Sequence, residues 1–104
     1  NFMNMRFENK IFYCEVQENL TAINIKTMME KVKAVIEASA DDFETMKIDL
    51  SKVQSIDSLG ITFLISTYKS LVTKNKKMIL YKVPDSIRQL FKIMKLDEAF
   101  QIED

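Results

Sequence analysis

The sequence predicts an α/β fold: one mixed, mostly parallel β-sheet of about five strands packed with three to four helices. Three observations carry that expectation. Short runs of aromatic, β-branched and aliphatic residues alternate with three longer segments whose apolar residues recur at helical spacing. Read along the chain, the order is β-β-α-β-α-β-α-β, and strand–helix–strand units of one sheet close by right-handed crossovers that leave their strands parallel. Finally, 104 residues with 47% hydrophobic and 29% charged content suit a single domain with a sizeable core and are too apolar for disorder. No linker, repeat or low-complexity stretch divides the chain, so residues 1–104 are read as one domain.

Met3 to Glu8 and Lys10 to Val16 read as the first two strands, joined tightly at Asn9-Lys10. In the second, Phe12 and Cys14 share one face and Ile11 and Tyr13 the other. A strand apolar on both faces predicts cover on both sides of the sheet. Gln17 to Leu20 is a polar connection. Thr21 is then the expected N-cap of a helix whose stripe is Ile25, Met28, Met29, Val32 and Ile36. Ala38 to Glu44 is an acidic loop in which Asp41 and Asp42 lack the further ligands a metal would need.

Thr45 to Leu50 is the next strand, with Met46, Ile48 and Leu50 pointing one way. Val53 and Ile56 anchor the connection that follows. The second helix carries Ile61, Leu64, Ile65, Tyr68, Leu71 and Val72, and ends near Asn75, a residue that tolerates the left-handed conformation. Met78 to Val83 is the fourth strand. Pro84 and Asp85 open a third helix with Ile87, Leu90, Phe91 and Met94 as its stripe, and Ala99 to Ile102 form the last strand.

Composition excludes several functions. Fifteen basic and fifteen acidic residues cancel, which gives no electrostatic reason to expect nucleic acid or an anionic membrane as partner. The absence of histidine removes the usual general base and the usual metal ligand. The single Cys14 excludes an internal disulfide and suits a reducing compartment. No apolar run approaches the roughly 20 residues that span a bilayer, and the first residues lack a signal-peptide pattern. The expectation is a cytoplasmic domain without metal or cofactor.

The informative stretch runs from Asp49 to Ile61. Ser58 stands where the second helix begins, two residues before the chain's one glycine, Gly60. A hydroxyl there faces free backbone N–H groups and the positive end of the helix dipole, a setting that tolerates phosphate. Two readings stay open on these residues alone. Ser58 caps the helix while Gly60 lets it pack closely on a strand, or Ser58 is a modified residue. It is no hydrolytic nucleophile, because no base is at hand, and one glycine cannot build a phosphate loop. No enzymatic activity is expected.

The run Asp49-Leu50-Ser51, a hydrophobic residue, then Ile56-Asp57-Ser58-Leu59-Gly60-Ile61 leading into a helix resembles the signature of the STAS domain family. That family is named for sulphate transporters and anti-sigma factor antagonists. Tyr68-Lys69 and Ile87-Arg88-Gln89-Leu90-Phe91 resemble family segments too, and the order of elements agrees over nearly the whole chain. The resemblance implies an anti-sigma factor antagonist. Its partner would be an anti-sigma factor with serine kinase activity, which phosphorylates Ser58 and thereby releases the antagonist. A separate serine phosphatase would reset it. Asp57, Ser58, Leu59, Gly60 and Thr21 are the implied partner-binding residues. The alternative is an unswitched STAS subunit of a signalling scaffold or transport complex; self-association as a weak homodimer is compatible with either. Three positions depart from the family pattern. Leu59 stands where a small residue is usual, Glu18-Asn19-Leu20-Thr21 lacks the Gly and Asp of the family turn, and Lys95 replaces a glycine after the third helix.

Overall fold

The computed structural model describes residues 2–104. Its strands are β1 (Met3–Glu8), β2 (Ile11–Val16), β3 (Thr45–Asp49), β4 (Lys77–Tyr81) and β5 (Gln101–Glu103). Its helices are α1 (Ala22–Ala38), α2 (Ser58–Val72) and α3 (Asp85–Ile93), with single 3-10 turns at Ala40–Asp42 and Leu96–Glu98. The sheet order is β1-β2-β3-β4-β5, antiparallel between β1 and β2 and parallel thereafter. Asn9 and Lys10 take φ of 53° and 64°, the two left-handed residues of a tight hairpin turn, which starts β2 at Ile11.

Each crossover from β2 onward steps one strand in the same direction. Right-handed connections therefore place α1, α2 and α3 on one face of the sheet. Strand register puts Phe12, Met46 and Met78 in one row on that face and Cys14, Ile48 and Leu80 in the next. These side chains are buried together with Met28, Val32 and Ile36 of α1, Phe63 and Leu64 of α2, and Ile87 and Phe91 of α3. Burial pushes the Cys14 thiol up to about 12.

Among the described residues no helix lies over the opposite face, which corrects the expectation of cover on both sides of β2. Ile11 and Tyr13 are only half-buried there. Charge and ring contacts take the place of a packed layer: the Arg6 guanidinium lies 3.9 Å from the Tyr13 ring centre, and Lys47 pairs with Glu103 at 3.0 Å. Two residues assigned to helix stripes also end exposed, Val72 as the last residue of α2 and Met94 just past α3. Asn75 is left-handed, with φ 60°, as its type suggests; Lys95, with φ 59°, holds the same conformation at a position that glycine fills at lower cost.

Candidate functional site

Two loops, one before α1 and one before α2, are laced together at one end of the sheet. β3 stops at Asp49, whose buried carboxylate accepts the Ser51 N–H at 2.8 Å and lies 3.8 Å from the Lys82 ammonium. Val53 then buries itself, and Ile56 bridges to Leu20. The Leu20 N–H donates to the Ser55 carbonyl, and the Asp57 N–H donates to the Leu20 carbonyl, both at 3.1 Å. The Asn19 Oδ1 accepts the N–H groups of Gln54 at 2.8 Å and Ser55 at 3.1 Å. Asn19 thus ties down a turn that has neither Gly nor Asp.

This lacing explains Gly60. A Cβ there would lie 2.1 Å from the Leu20 carbonyl oxygen and 2.7 Å from Ile56 Cγ1. Its φ is not positive, so space and not backbone freedom demands the glycine.

Asp57 holds the ends of both helices. Its Oδ1 accepts the Leu59 and Gly60 N–H groups, each at 2.9 Å, and its Oδ2 accepts the Ala22 N–H at 2.8 Å. The Gly60 and Ala22 N–H groups, in that order, hold its carboxyl below the usual carboxylate range. Capping by Ser58 is therefore corrected: Asp57 is the N-cap of α2, and Ser58 is the first helical residue. The carboxylate one position earlier reaches the second and third helical N–H groups, the place where a cap acceptor works. Ser58 keeps an exposed side chain, and its carbonyl accepts the Thr62 hydroxyl at 3.0 Å.

Thr21 stands where the sequence placed it. It occupies the N-cap position of α1 in extended conformation, but its side chain makes no capping hydrogen bond. The first N–H of α1, on Ala22, goes to Asp57 instead. The five residues named from the sequence thus converge, with Gly60 buried, Asp57 and Thr21 half-buried, and Ser58 and Leu59 exposed.

One residue was missed. Ile23, in the first turn of α1, is 89% exposed, and Leu59 in the first turn of α2 is 48% exposed. Both first turns are pinned to the same carboxylate, so two uncovered aliphatic side chains flank the Asp57–Ser58 pair. The signal was present in the sequence: Ile23 precedes Ile25 by two residues, about 200° around the helix, and so falls off the buried stripe.

The family model described as the STAS domain matches residues 2–104. The chain belongs to the STAS domain family. Among curated relatives, the anti-sigma-B factor antagonist of Listeria monocytogenes is 28% identical over 75 residues, 71% of this chain. The match spans 66% of that relative's length, just under two thirds. A solved anti-sigma factor antagonist from Mycobacterium paratuberculosis superposes with a TM-score of 0.81 over 96% of this chain and 82% of that one, at 20% identity. The Bacillus cell fate determinant SpoIIAA in its phosphorylated form gives 0.73 over 98% and 91%, at 13% identity. At such identities the structures establish a shared fold. Within it, the STAS signature lies on the β3–α2 connection and the first turn of α2. Among the described residues no helix is long and apolar enough to cross a membrane.

Proposed function

We propose that this STAS domain is a cytoplasmic, non-enzymatic anti-sigma factor antagonist whose binding state is set by phosphorylation of Ser58. The observation that carries the reading is the exposed Ser58 hydroxyl in the first turn of α2, beside an ionised Asp57 and between the uncovered Ile23 and Leu59. The partner is an anti-sigma factor that is also the serine kinase, and a phosphatase reverses its action.

The unmodified face offers two aliphatic anchors and a small hydroxyl, which a partner can cover at little desolvation cost. A phosphate on Ser58 adds about −1.5 to −2 charges next to a carboxylate. The helix N-terminus offsets only part of that, typically about 0.3–1 kcal/mol, and two of its N–H groups are already held by Asp57. Inside the free domain the phosphate stays in water, so the fold survives. At an interface the same group has to shed water against an apolar pair, at a cost of several kcal/mol, and each 1.4 kcal/mol is about tenfold in affinity. Release follows from local charge and bulk.

The test compares affinities for the anti-sigma kinase. Ser58→Ala should bind like the unmodified wild type and resist release by ATP, whereas Ser58→Asp should bind at least about tenfold more weakly. Equal affinity of all three proteins, unaffected by ATP, would pass the role to the unswitched scaffold or transport subunit.

A further inference from the structure

A cleft of about 340 Å³ separates α1 from α2, centred roughly 12 Å along α2 from Ser58. Met29, Val32 and Ile36 of α1 form its apolar side, and Thr67 and Ser70 of α2 face them. Small residues on α2 leave the gap open, yet small residues alone would make it only a packing defect. Thr67 makes it more than that. The residue is 5% exposed, and among the described residues its hydroxyl has no hydrogen-bond partner. No side-chain N or O among them is both enclosed and unpartnered, so the Thr67 Oγ1 opens onto the cleft. A hydroxyl that keeps solvent access at the side of an apolar trough can exchange its water for a ligand acceptor or donor.

Charge at the rim selects among ligands. Lys26, Glu30 and Lys33 line the same cleft, and among the described residues none of them has an ion pair. The rim therefore carries a net single positive charge, and Glu30 disfavours a dianion. Both helices start from the Asp57 carboxylate and run parallel, so equal rise brings Lys33 alongside Thr67 and Ser70. A volume near the lower end of small-molecule sites suits one short alkyl chain.

We propose that this cleft binds a free, single-chain aliphatic carboxylate of about ten carbons. The chain lies on Met29, Val32 and Ile36, and the carboxylate accepts the Thr67 and Ser70 hydroxyls while facing the Lys33 ammonium. The site does not depend on the state of Ser58.

The test titrates decanoate into the full chain, following the Met29 methyl by NMR and the heat by calorimetry, with decyltrimethylammonium and 1-decanol as matched controls. For about a dozen non-hydrogen atoms, saturable one-to-one binding at roughly 1 mM or tighter is expected. Ser70→Leu, which fills the cleft from a half-exposed position, and Lys33→Glu at the exposed rim should each weaken it about tenfold, with unchanged circular dichroism. Ser58→Asp should bind as the wild type does. The proposal is overturned by absence of saturation at Met29, by equal binding of the cationic amphiphile, or by a folded Ser70→Leu that binds unchanged. Self-association that covers Met29 and excludes decanoate overturns it too.

Discussion

Gly60→Ala separates two physical effects of opposite sign. Helix propensity alone favours the substitution, since alanine is better than glycine in a helix by about 1 kcal/mol. Packing opposes it. The new Cβ would meet the Leu20 carbonyl oxygen at 2.1 Å and Ile56 Cγ1 at 2.7 Å, and the first contact is backbone. That carbonyl also accepts the Asp57 N–H at 3.1 Å, so moving it loosens the bond that holds the two loops together. Overpacking typically costs about 1–3 kcal/mol and a weakened hydrogen bond about 0.5–1.5 kcal/mol. Subtracting the propensity gain leaves a net loss of about 0.5–3.5 kcal/mol. For a domain of this size each kcal/mol lowers Tm by about 4 °C or slightly more. Urea unfolding followed by circular dichroism, with Tm measured in parallel, reads the effect directly. A Gly60→Ala protein as stable as the wild type, or more so, would refute the packing argument and return Gly60 to a matter of motif alone.

Other outcomes follow from the same geometry. Lys95→Gly relieves a left-handed residue and should raise stability by about 0.5–1 kcal/mol by urea midpoint, whereas Lys95→Ala should gain nothing. Ile23→Ser and Leu59→Ser should leave stability within about 0.5 kcal/mol of wild type while weakening binding to the anti-sigma kinase; a large stability loss would mark either residue as core. Asp57 has a folded-state carboxyl held below its ordinary value, so its contribution is present above the unfolded pKa and lost as pH falls through the folded one. Wild type minus Asp57→Asn, measured by urea unfolding from neutral to strongly acid pH, should shrink toward zero at the acid end.

The fold was legible because each element repeats its signal. The Ile25–Ile36 and Ile61–Leu71 stripes state helical period over several turns, and observed strand bounds differ from the expected ones by only one or two residues. The errors have one kind of cause. Alternating Ile11 and Tyr13 look like a second core face, but three successive crossovers of one hand put every helix on the other side. At the site, the five residues named from the motif lie together, but local pattern assigns the capping bond of α2 to Ser58, and the Thr21 cap position carries no side-chain bond. Ser58 and Thr21 are both good local caps, yet Asp57 serves both helices through a contact to Ala22 that is 35 residues away in sequence. The Asn19 bonds to Gln54 and Ser55 are similarly remote. Local pattern cannot express such contacts, whereas the uncovered Ile23 was readable as a residue off its stripe.

The most direct test of the switch is to incubate the protein with its anti-sigma kinase and ATP, find the phosphate by mass spectrometry, and measure the complex before and after. Phosphate on Ser58, an unchanged circular dichroism spectrum and at least about tenfold weaker binding are expected. Phosphate elsewhere, or a Ser58-phosphorylated domain that binds as tightly as before, would contradict the mechanism.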